Sequence, residues 1–378
     1  MGLSLLRTVA AVLSAGLLAT ACASGARSDF GLSERDAASP VGFPNVRFSV
    51  EDVAAAQRIE RQLEQGVPKG PDGHFDLIAL SGGGANGAFT AGLMAGWTAS
   101  GARPDFEVVT GVSTGALAAP FVFLGPRWDG RLKAAYTGGQ AEGLLKTRGL
   151  GTLVGSGVFS DAPLRRLVES HVDEALLAEV AAEHVKGRLL LVATTDLDAQ
   201  RGVIWNMGAI AERGGPEALA LFRDVLVASA SIPGVFPPVM IRSQGQGVVF
   251  EEMHVDGGVM NPFLALPQIM WNWDDAAGVF RGARLHVVVN GKDAPRFAVT
   301  RDAALPVLSR SLDTVLGSQL RATLAANRAF ASRNGLAFHV AAIPEDFDGA
   351  DSLDFSRESM MAVYELGEAL GRSGAAWK

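Results

Sequence analysis

A chain of 378 residues, 48% of them hydrophobic and 19% charged, can bury a large core and is not a disordered protein. Its formal net charge of −7 and pI of about 5.5 exclude the basic surface that nucleic-acid phosphates require, and no basic stripe along the chain compensates.

In chain order, residues 1–21 have the layout of a signal peptide: Arg7, a short apolar stretch from Thr8 to Leu18, then small residues running into Cys22. The stretch is too short to be a spanning helix, and no later segment is long and apolar enough to cross a bilayer. Ala19-Thr20-Ala21 before Cys22 resembles a lipobox, although the apolar Leu18 stands one place too early; ordinary cleavage after Ala21 or Ala23 is the alternative. Cys22 is the chain's only cysteine, and a lone thiol there in an exported protein is explained most simply as a lipid attachment site. The expectation is a lipoprotein of the cell envelope, facing the periplasm or in the outer membrane, held at a membrane surface by its acyl chains.

Residues 22–50, rich in Ser, Gly, Pro and charge without periodicity, read as a flexible tether, leaving 51–378 as one domain. Glu51 to Gln65 predicts a polar helix. From Phe75 the pattern becomes α/β: the buried run HFDLIAL, the glycine loop SGGGANG, and a helix with Phe89, Leu93 and Trp97 on one face. FEVVT predicts a second strand, GVSTG a turn, and ALAAPFVFL a helix. GRLLLVATT is apolar on both faces, as a central parallel strand requires. PEALALFRDVLVASA reads as a helix, and VMIR and VVFEEMHV, joined by SQGQG, as a hairpin leading to Asp256. RLHVVVN, a helix with Leu312, Leu316, Leu320 and Leu324 in line, LAFHVAAI and a last helix from Ser356 to Gly371 complete the alternation. The fold expected is a mostly parallel central sheet with helices on both faces.

Three motifs carry chemistry. Gly82, Gly84 and Gly87 satisfy GxGxxG, which serves either a dinucleotide pyrophosphate or the oxyanion of acyl transfer, since both want bare N–H groups at a helix N-terminus. A P-loop is excluded, because Ala88-Phe89 follows Gly87. GVSTG fits GxSxG between a strand and a helix, where a sharp turn at Gly111 and Gly115 would expose the Ser113 hydroxyl at the carboxyl rim of the sheet. A serine needs a base. His286 and His339 are the late histidines that a Ser-acid-His order would use, but both sit inside apolar strand-like runs. In HVDGGVMNP, Asp256 ends a strand at a Gly-Gly turn, where its carboxylate can reach the same rim and act as base directly. No HExxH occurs, and Asp196 with Asp198 lacks a third ligand nearby, so neither a metal nor a cofactor is expected; the two aspartates read as braces at a strand end.

In that order, SGGGANG, GVSTG, ASASIPGVFPP and DGG resemble the patatin-like phospholipases over residues 75–265. The resemblance implies a three-layer sandwich and hydrolysis of lipid carboxylic esters of the phospholipase A, lysophospholipase or esterase type. It implies Ser113 as nucleophile, Asp256 as base without histidine, and an oxyanion hole at Gly82, Gly83 and Gly84. The chain departs from the family pattern at Asn86, where a cation is usual, and at Ser81, where Asp is frequent. The readings set beside it are a non-catalytic lipid-binding envelope protein on the same fold and a dinucleotide-binding protein. Acyl length, head-group choice and oligomeric state carry no readable code.

Overall fold

The computed structural model describes residues 27, 29–64, 70, 72–145, 158–265, 280–295 and 297–378. The expected signal peptide, residues 1–21, and Cys22 lie outside them. Among the described residues no helix is long and apolar enough to cross a membrane.

The chain opens with α1 (Leu32–Asp36), β1 (Ser39–Pro40), β2 (Arg47–Ser49) and α2 (Val53–Glu64). There follow β3 (Asp76–Leu80), a 3-10 turn at Gly84–Gly87, α3 (Ala88–Ala99), β4 (Val108–Val112), α4 (Thr114–Leu124) and α5 (Asp129–Thr137). Next come α6 (Ala162–His171), α7 (Glu174–Val185), β5 (Leu189–Asp196), β6 (Arg201–Asn206), α8 (Met207–Arg213) and α9 (Gly215–Ser229). The hairpin β7 (Val239–Gly245) and β8 (Val248–Asp256) leads to β9 (Arg284–Val289), α10 (Ala304–Asn334), β10 (Ala337–Ala342) and α11 (Arg357–Ser373).

Ten strands form one sheet. Its parallel half runs β5-β4-β3-β9-β10. Every residue of β3, β4 and β5 is buried, because helices cover both faces; the acids at the strand ends, Asp76 and Asp196, are buried against Arg284 and Arg35. The larger apolar cluster packs α3, α4, α6, α7, α9 and α11 on one face; the smaller one holds Phe263, Phe280 and, from α10, Phe330 and Ala331 on the other. The rest of the sheet is an antiparallel wing in which β6 follows β5, and β8 follows β7, through short turns that parallel pairing cannot use, while α8 and α9 stand between β6 and β7.

One register detail positions the site. Along one edge of β5, β4 pairs in parallel from Val108↔Leu189 to Val112↔Ala193. Immediately beyond, β8 takes over in the opposite direction, from Thr194↔Asp256 to Asp196↔His254. The two strands therefore point at each other, and the residues at their ends, Ser113 and Asp256, meet.

The sequence predicts a tether through residue 50, and the structure overturns this from residue 29 onward. β1 pairs with β7 and β2 with β6, Phe30 stacks on Phe250 with ring centroids 4.1 Å apart, and Arg47 meets the buried Glu252 at 2.6 Å. Burial works against ionising Glu252, yet His254 and Arg47 hold it well below the usual carboxylate range. Short, turn-rich segments without periodicity dock here because a handful of long-range contacts fix them; local pattern carried no such information.

α3 and α11 cross at unusually close range. Gly92 and Gly96 of α3 face Gly367 and Gly371 of α11, and a Cβ on either α3 glycine would strike the carbonyl oxygen of Tyr364 or Glu368. Gly92→Val should therefore force these helices apart, at a cost of about 3 kcal/mol. In calorimetry the expected result is a melting temperature lowered by roughly 4 °C; an unchanged value would mean that the helices do not touch there.

Candidate active site

Ser113 follows the last residue of β4 and precedes the first of α4 with φ 56° and ψ −127°, a strained conformation for a side-chain-bearing residue. A Cβ at Gly111 would meet the backbone of Gly115 and Ala116, and one at Gly115 would meet the carbonyl of Leu80, so the turn closes only with both glycines. The Ser113 N–H donates to Ser229 Oγ at 3.0 Å, and Ser229 Oγ–H donates to the Ala193 carbonyl at 2.7 Å. Ser229 thus ties the elbow to β5. Sequence reasoning quoted this serine inside ASASIPG without giving it a task; its signal is a hydroxyl in an otherwise apolar helix end.

Asp256 is held as firmly. Its N–H donates to the Ser231 carbonyl at 3.0 Å, Thr195 Oγ1 donates to its carbonyl at 3.0 Å, and Gly258 N–H donates to its Oδ1 at 2.7 Å. Burial raises the Asp256 carboxyl to about 6, while hydrogen bonds from the Ser113 hydroxyl and the Gly258 N–H pull it down. Ser113 and Asp256, 143 positions apart in the chain, are thus neighbours in space, and both are buried.

The glycine loop lies against this pair. Gly83 and Gly84 have φ 155° and 57°, and a Cβ on either would collide with the carbonyl oxygen of Asn290 or Ser352. Gly82 departs from the expected arrangement: its N–H donates to the Pro262 carbonyl at 3.1 Å and so is already used. Among the described residues no acceptor takes the N–H of Gly83 or Gly84, which begin the turn into α3. Asn290, at the end of β9, fixes the loop: its N–H donates to Ser81 Oγ at 2.8 Å, its Nδ2 to the Ser81 carbonyl at 2.8 Å, and its Oδ1 accepts from Thr90 Oγ1 at 2.7 Å. Ser81 Oγ–H donates in turn to the Gly82 carbonyl at 2.7 Å. Asn290 was legible only as the end of a strand; its pairing with Ser81 needed the parallel register.

Next to Gly84 and Thr114 opens an apolar cavity that follows Leu117 and Phe121 along α4, with Leu167 and Val168 of α6 opposite. Its wall includes Thr114, the residue after Ser113.

The other candidates lie elsewhere. His286 contacts Asp76, the first residue of β3, at 3.2 Å, and its ring stacks on His339 with centroids 5.1 Å apart. Both belong to the opposite end of the sheet from Ser113, and burial lowers the pKa of each. Glu107, an acid near the position a dinucleotide ribose would need, accepts the Asp76 N–H at 2.6 Å at that same far end. Asp196 caps the turn after β5 by accepting the N–H groups of Asp198 and Ala199, and it meets Arg35 at 3.1 Å. Asp198 grips Arg27 with both oxygens, at 2.6 and 2.5 Å. The two aspartates hold the N-terminal segment, and among the described residues no cluster of His, Cys, Asp and Glu could hold a metal ion.

The family model for patatin-like phospholipases matches residues 78–267. No curated protein matches the chain. Among solved structures, VipD from Legionella pneumophila is similar at 12% identity, with 82% of this chain and 70% of that chain covered and a TM-score of 0.40.

The raised carboxyl fixes a stability signature. The folded pKa of Asp256, about 6, exceeds its ordinary value of 3.8, so the folded state binds the proton more tightly. The stabilisation this brings is complete below pH 3.8 and lost as pH rises through about 6. Asp256→Asn, which carries no charge to bury, should gain up to about 3 kcal/mol over the parent at pH 8. Melting temperatures of the two should converge at pH 4; a difference independent of pH would refute the buried carboxylate.

Proposed function

The chain belongs to the patatin-like phospholipase family, and from that footing we propose that it is a serine acyl hydrolase cleaving carboxylic esters of lipids through Ser113 and Asp256. Support comes first from one observation: Ser113 lies next to the buried carboxylate of Asp256, whose pKa its hydroxyl lowers, and the glycine loop packs against Ser113 at Gly82, followed by Gly83 and Gly84, whose N–H groups have no acceptor among the described residues.

In the proposed mechanism Asp256 accepts the Ser113 proton as Oγ attacks the ester carbonyl. The carbonyl oxygen, becoming an oxyanion, is received by the N–H groups of Gly83 and Gly84 and by the positive end of α3. Gly82 then serves by shape and not by donation, since its N–H is bonded to Pro262. The tetrahedral intermediate collapses, the alcohol leaves with the proton from Asp256, and an acyl-enzyme remains on Ser113. Water, deprotonated by Asp256, attacks that ester; the proton returns to Ser113 and the fatty acid is released. The apolar cavity along α4 takes the acyl chain. Burial suits the base to this task, because a carboxyl near 6 is a stronger proton acceptor than an exposed one and is still ionised at neutral pH.

We further propose that residues 1–21 direct export and that Cys22 carries the lipid, which would keep the enzyme at the surface where its substrate lies.

Ser113→Ala and Asp256→Asn should each lower kcat/KM for a p-nitrophenyl ester by about a thousandfold or more, with the fold intact by circular dichroism. A folded His286→Ala variant should keep its activity; if it is dead while Asp256→Asn works, the assignment of the base fails. Because only the ionised carboxylate is a base, kcat/KM should be flat at alkaline pH and fall tenfold per pH unit below about 6. A limb that vanishes in Asp256→Asn together with activity, and labelling of Ser113 by a fluorophosphonate, complete the test.

A further inference from the structure

We propose that His254 and Thr194 are the positioning pair of the base: their hydrogen bond, buried behind Asp256, fixes the short ladder whose end rung carries that carboxylate. The proposal rests on the reading of Asp256 as the base of the hydrolase.

β8 needs such a device because its two ladders are unequal. It pairs with β7 over seven rungs, from Val239↔His254 to Gly245↔Val248, but with β5 over only three, Thr194↔Asp256, Thr195↔Val255 and Asp196↔His254. Asp256 stands on the end rung of the shorter one. A ladder of three rungs specifies its register weakly unless side chains pin it.

Glu252, His254 and Asp256 occupy alternate positions of β8 and share one face of the strand. All three are buried, His254 with 0% and Glu252 with 1% of its surface exposed, and the proposed mechanism uses Asp256 alone. Buried polar side chains add little stability over apolar ones of equal volume, but a connected set of them selects one arrangement of strands over its neighbours.

Here the set ties β8 diagonally to both flanking strands. On one side the Ser243 hydroxyl of β7 donates to Glu252 at 2.5 Å; on the other, His254 Nδ1 meets Thr194 Oγ1 of β5 at 3.0 Å. Trp205 decides the direction of the second bond, since its Nε1–H can only donate and reaches Thr194 Oγ1 at 2.8 Å. Thr194 Oγ1 thus accepts from Trp205 and donates to His254 Nδ1, which leaves the imidazole hydrogen on Nε2, 3.8 Å from Glu252 Oε2. Arg47 of β2 closes the set. It meets Glu252 at 2.6 Å and lies over the Trp205 ring, 5.2 Å from its centroid, while that ring stands edge-on to His254 at 5.5 Å. The remaining charges on this side, Asp196 opposite His254 and Asp198 beyond it, are held by Arg35 and Arg27. Thr194, the ladder partner of Asp256, is therefore gripped by the strand that carries the base, two residues before the base itself.

The test uses the full chain and p-nitrophenyl butyrate. Thr194→Val, which keeps the shape of the side chain and removes its hydroxyl, should lower kcat about tenfold or more and leave KM within about twofold, because the pair orients the base and does not touch substrate. His254→Phe should do the same, and Thr194→Ser, which retains the hydroxyl, should stay within about twofold of the parent in kcat. Since both losses remove one bond, Thr194→Val/His254→Phe should be no slower than the slower single variant. Amide hydrogen exchange over residues 254–258 reads the same bond without turnover: it should quicken in Thr194→Val and match the parent in Thr194→Ser. Circular dichroism identifies the folded variants, and if His254→Phe does not fold, Thr194→Val decides alone. Unchanged kcat or unchanged exchange in folded Thr194→Val overturns the proposal, as does a loss that Thr194→Ser shares or a double variant slowed by the product of the single effects. A parent that hydrolyses no ester while exchange responds as stated leaves the positioning pair standing and refutes the hydrolase.

Discussion

Everything at the candidate site depends on one edge of β5 being shared by two strands. β4 arrives in parallel and stops opposite Ala193; β8 arrives antiparallel and stops opposite Thr194. With neighbouring ladder positions occupied by chain ends that face each other, Ser113 and Asp256, far apart in sequence, are brought side by side. A slip of one residue in either register would turn that side chain to the other face of the sheet and abolish the contact. The antiparallel wing is therefore no accessory to the parallel half: without the hairpin of β7 and β8, Asp256 would not approach from that direction.

Keeping two strand ends in that position requires their loose backbone groups to be satisfied, and the end of α9 with the residues just after it does this for both. Ser229 takes the N–H of Ser113 with its side chain, and Ser231 takes the N–H of Asp256 with its carbonyl. Two residues apart on one stretch of chain, they set the separation of Ser113 and Asp256 from a common support. Unmet, buried N–H groups at these places would each cost about 1–3 kcal/mol, comparable with the strain of the left-handed Ser113 that they help to hold. The rigidity of the elbow and the position of the acid have the same origin.

Much of this was legible in sequence, and the reasons divide cleanly. Local signals were sufficient where chemistry and geometry coincide in a few residues: GVSTG between apolar runs gave the elbow, and HVDGG gave the strand end with its carboxylate. The parallel core followed from runs such as LLLVATT with no polar face. Where partners are remote, pattern was silent. Nothing in AASPVGFPNVRFS announces that Arg47 will meet Glu252, which is why residues 29–50 read as a tether and are instead docked on the sheet. Likewise three glycines in a row read as three equal donors, and only the fold reveals that the first N–H is spent on Pro262.

The crossing of α3 and α11 then bears on the site from a distance. α3 carries the glycine loop at its N-terminus, and the loop's shape is set from outside by two carbonyls, of Asn290 and Ser352. Asn290 comes from the sheet, but Ser352 belongs to the segment that leads into α11, and it accepts the N–H of Ala85 at 2.9 Å. Ser352 can come so near only because α11 lies almost backbone to backbone on α3, glycine against glycine. A bulkier pair of helices would lift that segment away and leave Gly84 without the wall that dictates its conformation. The glycines within α3, costly to the helix by about 1 kcal/mol each, are thus part of what holds Gly84 in its left-handed conformation.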